Sequence, residues 1–89
     1  MSKLKVMYFS APWCGPCRVF GPAFDEVVKS FGDEIEVQKI NVDEQQLLSS
    51  ENAVRSIPTV IFKKGDVETF RQTGPVPKNH LESLIKTHK

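Results

Sequence analysis

The sequence has few cysteines, no long apolar run and almost no excess of charge, and each shortage excludes a class of protein. Its two cysteines, Cys14 and Cys17, are too few for a small secreted domain held together by disulfides. No apolar stretch approaches the roughly 18 residues of a membrane span, so no membrane association is expected. Twelve basic and 11 acidic residues leave a net charge of +1. Nucleic acid is therefore not expected as a partner, because phosphate binding needs clustered positive charge.

The N-terminus has little that would direct the chain to export. Lys3 and Lys5 are followed by a short apolar stretch at residues 6–9, whereas a signal peptide needs a longer apolar segment and a small-residue cleavage site. A cytoplasmic location is therefore expected. A length of 89 residues leaves room for one core, so residues 1–89 are predicted to form a single domain.

Hydrophobic periodicity predicts the element order β-α-β-α-β-β-α. The predicted strands cover residues 3–10, 35–42, 59–62 and 67–72, and the predicted helices cover residues 17–31, 44–52 and 78–87. The first strand, helix and strand make a βαβ unit, which requires a parallel pair and a right-handed crossover. A tight turn at residues 63–66 adds an antiparallel hairpin. The predicted fold class is therefore α/β, with a four-stranded mixed sheet and three helices.

Several local features are predicted within these elements. Pro22 lies inside the first helix and is expected to kink it. Asp43 is expected to cap the second helix, with Leu47 and Leu48 pointing inward. The last strand alternates between polar and apolar residues, which is typical of an edge strand with one solvated face.

The strongest chemical signal is the pentapeptide Trp13-Cys14-Gly15-Pro16-Cys17, which follows a buried strand and opens a helix. This spacing lets both sulfurs meet at the first helical turn. There Cys14 lies beside unpaired backbone N–H groups and the positive end of the helix dipole, which is expected to lower the pKa of its thiol. Pro16 fits a first turn, where its missing N–H is harmless. Gly15 lets another backbone approach, and Trp13 presents an apolar surface beside the sulfur.

Other uses of the two cysteines remain open but fit the sequence less well. A bridge across two residues closes almost no loop, so it would stabilise the fold little. A structural zinc site needs more ligands than two cysteines supply, and His80 and His88 lie far along the chain, where each is expected to be an ordinary helix-surface residue. Two inert core thiols are a further alternative. Reversible dithiol chemistry is the interpretation that accounts for the spacing.

The pentapeptide resembles the active-site signature of the thioredoxin family, and the resemblance extends over nearly the whole chain. The sequence Val-Arg-Ser-Ile-Pro-Thr at residues 54–59 is similar to the second family signature, a loop whose proline is cis. From the residues alone, a trans Pro58 at a strand start would be the more common arrangement; the resemblance implies cis. Pro22, residues 39–43 and Gly74 match further family positions, and Gly74 is similar to a glycine that borders the substrate groove.

The sequence also departs from the family pattern. Few residues precede Cys14, so the strand and helix with which typical members begin are expected to be missing. Ser56 stands where some members have glycine, which is a tolerated variation. Tyr8 stands where the family usually has a buried aspartate that helps to move the proton of the second cysteine. Tyr8 is expected either to fill the core or to hydrogen-bond a water or Lys39 beneath Cys17; Lys39, similar to the family's buried lysine, would then lack its carboxylate partner.

The resemblance implies a protein-disulfide reductase with Cys14 as nucleophile and Cys17 as the resolving cysteine. It implies that the substrate binds as an extended segment across Trp13, Gly15, Pro16, Ile57, Pro58 and Gly74. No glycine-rich dinucleotide loop is present, so no bound cofactor and no metal are expected. The implied electron source is NADPH, through a separate thioredoxin reductase-type flavoprotein. The implied clients are disulfide-containing proteins, with ribonucleotide reductase as a candidate, and the expected state is a monomer.

Other functions remain open. A glutaredoxin-like enzyme reduced by glutathione is favoured by the short four-stranded core, whereas Gly15-Pro16 is thioredoxin-type and glutaredoxins usually carry Pro-Tyr there. A non-catalytic thioredoxin-like subunit of a larger complex would not need both cysteines. An oxidase or isomerase would be expected in an export compartment.

Overall fold

A computed structural model describes residues 3–89 and has the predicted order of elements. The first two residues of the predicted domain lie outside the described range. The strands are β1 Leu4–Ser10, β2 Ile35–Asn41, β3 Thr59–Lys64 and β4 Val67–Thr73, and the helices are α1 Gly15–Phe31, α2 Gln46–Glu51 and α3 Lys78–His88. A 3-10 turn, Gly32–Glu34, joins α1 to β2. The predicted α/β class is confirmed, while the assignment of residues 1–89 to a single domain stays a prediction.

The strands form one mixed sheet in the order β2-β1-β3-β4. β1 and β2 are parallel, which confirms the predicted βαβ unit, and the β1–β3 and β3–β4 pairs are antiparallel. β4 is an edge strand, as predicted, but its exposure does not alternate: residues 67–69 are exposed and residues 70–72 are half-buried. β2 forms the other edge.

Each face of the sheet carries its own hydrophobic cluster. On one face, β1 and β3 residues pack against the apolar sides of α1 and α3, with Tyr8, Phe24, Phe62, Leu81 and Ile85 all at most 2% exposed. The other face is smaller and consists of Met7, Phe9, Ile40 and Ile61, covered in part by Leu48 of α2. Successive side chains of β1 point to opposite faces and contribute to both clusters in turn, which is why this strand is buried along almost its whole length.

Helix α1 begins earlier than predicted and continues through a proline. It starts at Gly15 because Cys14 acts as its N-cap, with the Cys14 sulfur accepting a hydrogen bond from the N–H of Cys17. The helix runs unbroken past Pro22, and the kink expected there stays a prediction. It ends at Gly32, whose φ of 55° is readily adopted by glycine.

The predictions for α2 were partly wrong. The helix has only six residues, and its N-cap is Gln45, which makes no side-chain capping bond within the described part of the chain. Asp43 does not cap it because α2 begins only at Gln46, and the Asp43 carboxylate accepts a hydrogen bond from Trp13. Leu47 is 75% exposed, since one short helix turns only one side toward the sheet and Leu48 occupies that side.

The loops that carry the motifs all lie at the same end of the sheet, where β1, β2 and β4 end and β3 begins. The parallel β1–β2 register pairs Ser10 with Asn41, so both strands end there. The antiparallel pairs place Thr59, at the start of β3, opposite Phe9 and Thr73. The segments that follow Ser10, Asn41 and Thr73 and the segment that precedes Thr59 are thereby brought together.

Candidate active site

The two cysteines lie where β1 passes into α1. They are joined by a disulfide, with their Cα atoms 5.2 Å apart. The backbone N of Cys17 lies 3.2 Å from the Cys14 sulfur and donates to it. This is the N-terminal arrangement that the spacing predicts, because an N–H directed at the sulfur favours its negatively charged form. Both cysteines are buried as whole residues, so exposure does not distinguish them.

The loop before β3 lies against Cys14. The Ile57–Pro58 peptide is cis, which confirms the prediction from the resemblance. The Cys14 sulfur is 3.8 Å from the carbonyl oxygen of Ile57. The N–H of Gly74 donates to the carbonyl oxygen of Pro58 at 2.8 Å, and Gly74 has a φ of 93°, a conformation that favours glycine. Cys14, Ile57, Pro58 and Gly74 are therefore brought together as predicted.

Trp13 forms one wall of a groove beside the disulfide. It is 64% exposed, and its indole Nε1 donates to the Asp43 carboxylate at 2.7 Å. A hollow of about 320 Å³ separates Trp13 from Ile57 and Val54. Asp43 was missed as a site residue. It could have been found from the parallel β1–β2 prediction, because segments that follow neighbouring parallel strands lie side by side.

Tyr8 fills the core beneath the first turn of α1. Its ring is stacked on Phe24 at 4.6 Å between centroids and meets Phe20 edge-on at 5.6 Å. Its hydroxyl donates to the Cys17 carbonyl oxygen at 3.5 Å. Burial raises the pKa of the Tyr8 phenol, and a hydrogen bond with Ser10 lowers it by less. The phenol is therefore protonated at neutral pH and is not a base for Cys17.

Lys39 differs from the expectation in two ways. It is exposed, and its Nζ donates to both carboxylate oxygens of Asp25, at 2.9 and 3.2 Å. Lys39 therefore lacks a carboxylate at position 8, as expected, but it has a different carboxylate partner that was not predicted, Asp25 of α1, and it is exposed, unlike the family lysine that it resembles. The β1–β2 register sets Lys39 beside Tyr8 on the face that α1 covers, and α1 supplies Asp25. Lys39, Tyr8 and Cys17 line a hollow of about 280 Å³ that opens to solvent.

The site thus has two openings. Cys14 borders the groove at Ile57, whereas Cys17 borders the hollow at Tyr8 and Lys39. Among residues 3–89, no group of three or more His, Cys, Asp or Glu side chains is placed to hold a metal ion. Over the same range, no helix has the length and hydrophobicity to cross a bilayer.

The two histidines lie in different environments. His80 is exposed, as expected. His88 is half-buried: its ring packs against Phe70 at 5.1 Å and Phe62 at 5.4 Å between centroids. The prediction that His88 is an ordinary surface residue was therefore wrong, because the C-terminal turn of α3 lies over the β3–β4 pair.

Comparison with known proteins agrees with the geometry. The thioredoxin family model matches residues 1–87. Thioredoxin from Mycoplasmoides gallisepticum is 44% identical over 85 residues, which are 96% of this chain and 84% of that protein. Thioredoxin 1 from Synechococcus elongatus is 44% identical over 82 residues, 90% of this chain and 75% of that protein.

Solved structures give the same result. The Fasciola hepatica thioredoxin structure superposes with a TM-score of 0.90 at 33% identity, covering 99% of this chain and 83% of that one. Malaria parasite thioredoxin-2 superposes with a TM-score of 0.92 at 32% identity, covering 98% and 84%. The chain therefore belongs to the thioredoxin family, and Cys14 and Cys17 form the redox-active disulfide of a thiol-disulfide oxidoreductase that reduces protein disulfides.

Proposed function

We propose that Cys14 is the attacking cysteine of this protein-disulfide reductase and Cys17 the resolving one. The observation that carries the assignment is the hydrogen bond from the Cys17 N–H to the Cys14 sulfur, at 3.2 Å between heavy atoms. An N–H at a helix N-terminus stabilises a thiolate, and the thiolate is the reactive form. Cys14 also lies against Ile57, a residue that lines the groove.

The exchange proceeds in two displacements. The Cys14 thiolate attacks one sulfur of a client disulfide; that S–S bond breaks, a mixed disulfide forms, and the released client sulfur takes up a proton. The Cys17 sulfur, after losing its proton, attacks the Cys14 sulfur and releases the second client thiol. Two electrons have then passed to the client, and Cys14 and Cys17 are left as the disulfide present in the structure.

The proton of Cys17 leaves through the hollow behind α1. Cys17 lines this hollow, which opens to solvent and is bordered by Lys39. The Tyr8 phenol is protonated and does not accept the proton. Tyr8 instead supports the first turn of α1 through its hydrogen bond to the Cys17 carbonyl. Water in the hollow is the proposed acceptor, and Lys39 borders this water as one half of an ion pair with Asp25.

A client binds as an extended segment across the groove. Trp13, Gly15 and Pro16 are exposed, and Trp13 and Ile57 line the groove. Pro58 follows Ile57 and is joined to Gly74 by a backbone hydrogen bond, so both are proposed to complete the surface that the client contacts. The Ile57 backbone is proposed to pair with the client as a neighbouring strand would. Such pairing uses hydrogen bonds to main-chain atoms, which every client has, so it suits a reductase with several clients. Ribonucleotide reductase remains one candidate among them.

The proposed electron donor is NADPH, through a separate flavoprotein reductase. Membership of the thioredoxin family and the Gly15-Pro16 dipeptide support this donor. The four-stranded sheet favours the alternative, reduction by glutathione, because glutaredoxins share that layout. A cytoplasmic monomer is the proposed state of the protein, in keeping with a carrier that must present its disulfide to larger proteins.

The test is reduction of insulin, followed as loss of NADPH with two regenerating systems in parallel. One contains a thioredoxin-type flavoprotein reductase, and the other contains glutathione with its reductase. Turnover is expected with the first system, and none with Cys14→Ser, because the attacking sulfur is then missing. Turnover only with the glutathione system would overturn the proposed donor. Full activity in Cys14→Ser would overturn the proposed nucleophile.

A further inference from the structure

The edge strand β4 contains an irregularity that brings two charged residues together. Phe62 pairs with Phe70 but Lys63 pairs with Glu68, so Thr69 is an extra residue in β4. In a regular strand, residues three apart point to opposite faces. The extra residue reverses this relation, and Glu68 and Arg71 lie on the same face as Ile61 and Lys63.

Arg71 uses its guanidinium to join β4 to the end of α2. The Glu68 carboxylate accepts from Arg71 Nε at 3.0 Å and from Nη2 at 2.8 Å. Arg71 Nη2 also donates to the carbonyl oxygen of Asn52 at 2.8 Å, and Nη1 donates to that of Ala53 at 3.5 Å. The bidentate pair with Glu68 fixes the plane of the guanidinium, so its remaining donors are directed at the end of α2.

The backbone that Arg71 holds is in an unfavourable conformation. Ala53 has a φ of 54°, in the left-handed region that side-chain-bearing residues rarely adopt. The Ala53 N–H donates to the carbonyl oxygen of Ser50, and the Val54 N–H donates to that of Ser49. This pair of hydrogen bonds is typical of a helix C-terminus that has glycine at the position of Ala53. An alanine here favours leaving this conformation, and the Arg71 hydrogen bonds oppose that tendency.

Ala53 directs the chain into the client groove. Val54 to Ile57 follow it immediately and line the hollow beside Trp13, and Pro58 comes next with its cis bond. A change of φ at Ala53 would reorient this loop relative to Trp13 and the Cys14 sulfur. The orientation of one wall of the groove is therefore coupled to a contact at the far edge of the sheet.

We propose that Arg71, oriented by Glu68, is a positioning residue that holds the groove loop at residues 53–58 in the conformation that binds client proteins. Arg71 touches neither the client nor the sulfurs, and it acts through Ala53. The inference rests on the client groove proposed above. A small disulfide that reacts with Cys14 without docking along the loop does not depend on this contact.

The test compares Arg71→Met and Arg71→Lys with the parent protein. The KM for insulin is expected to rise about tenfold in Arg71→Met, equivalent to ~1.4 kcal/mol, the scale of a hydrogen bond from a charged group. The kcat and the rate of reaction with thionitrobenzoate disulfide are expected to stay unchanged. Arg71→Lys keeps the charge but loses the planar fork, so it should show most of the same increase in KM.

Two further variants separate positioning from general stability. Ala53→Gly in the Arg71→Met background is expected to restore the KM, because glycine adopts a φ of 54° without support. Lys86→Met removes the 3.0 Å ion pair with Glu82 on α3 and should leave every constant unchanged. A parental KM in folded Arg71→Met, or an equal loss of rate with thionitrobenzoate disulfide, would overturn the proposal.

A readout without a client keeps this proposal distinct from the proposed function. Amide hydrogen exchange at residues 53–58 is expected to be faster in Arg71→Met than in the parent and slow again after Ala53→Gly. An unchanged rate of amide exchange at residues 53–58 in Arg71→Met would overturn the proposed role of Arg71, even if insulin is reduced normally. Absence of insulin reduction by the parent protein would instead overturn the proposed function, while the exchange result would still decide the role of Arg71.

Discussion

At the scale of single residues, Cys14 combines a structural task with a chemical one. Its sulfur takes the place that a serine or aspartate oxygen usually has at a helix start, accepting the N–H of Cys17. The hydrogen bond that begins α1 is therefore the same one that favours the thiolate. The spacing of the two cysteines is informative because it places the capping sulfur and its disulfide partner in the same first turn of α1.

Tyr8 leads to a prediction about alkaline stability. Burial raises the pKa of its phenol above the ordinary value of about 10. The native state thus retains the proton more strongly than the unfolded chain. The resulting stabilisation is fully present below the unfolded pKa and is lost as pH rises through the native one. Urea unfolding between pH 8 and 11 is expected to show a steeper loss of stability in the parent than in Tyr8→Phe.

Activity supplies the second half of the Tyr8 test. Because the phenol is protonated at neutral pH, Tyr8→Phe is expected to reduce insulin at nearly the parental rate. A large loss of rate in a folded Tyr8→Phe protein would contradict this account and identify the phenol as a proton acceptor for Cys17.

At the scale of elements, α1 shows how one helix serves both the core and the site. Its buried residues Phe20, Phe24, Val27 and Phe31 recur at helical spacing and face the sheet. Its N-terminus holds Cys14 and Cys17, and its exposed side supplies Asp25 to Lys39. The helix can position the disulfide because its buried side is anchored against β1.

A matched pair of substitutions tests this anchoring. Phe24 is fully buried and stacked on Tyr8, so Phe24→Ala should reduce the free energy of unfolding by about 3–5 kcal/mol. Val19 lies on the same helix but is 79% exposed, so Val19→Ala should change it by less than about 0.5 kcal/mol. Chemical denaturation of both variants checks the difference, and similar losses would contradict the placement of the α1 face.

Some elements could be predicted from sequence because their signals are local. The α1 period and the turn before β4 each lie within a few residues, and both the helix and the hairpin were confirmed. The predicted edge position of β4 was also confirmed, but its exposure does not alternate, because one extra residue interrupts the strand. The predicted cap of α2 was wrong because the helix begins at Gln46, two residues later than predicted, and Asp43 lies in the turn before it. The Asp43 carboxylate there accepts from the indole of Trp13, a distant contact that a local capping pattern does not specify.

At the scale of the whole molecule, the site exists because four loops meet at the same end of the sheet. The ends of β1, β2 and β4 and the start of β3 lie there, which brings Cys14, Asp43, Gly74 and Pro58 together. The predicted βαβ unit and hairpin already imply most of this convergence. The place of the cysteines and of Pro58 in the site could therefore be foreseen, whereas the cis bond before Pro58 was implied only by the family resemblance.

Contacts that depend on register could not be foreseen. Lys39 meets Asp25 only because the parallel pairing sets Lys39 beside Tyr8, under α1. Arg71 reaches Ala53 only because one extra residue in β4 changes which face it occupies. A shift of one residue moves a side chain to the other face of a sheet, and local patterns do not specify that shift.

The most direct test of the central claim is to trap the mixed disulfide. Cys17→Ser removes the resolving sulfur, so a client disulfide attacked by Cys14 should stay covalently attached. Mass spectrometry of Cys17→Ser incubated with insulin is expected to show an adduct linked through Cys14, whereas Cys14→Ser should accumulate none. An adduct through Cys17 in Cys14→Ser, with none in Cys17→Ser, would contradict the assignment of Cys14 as the attacking residue.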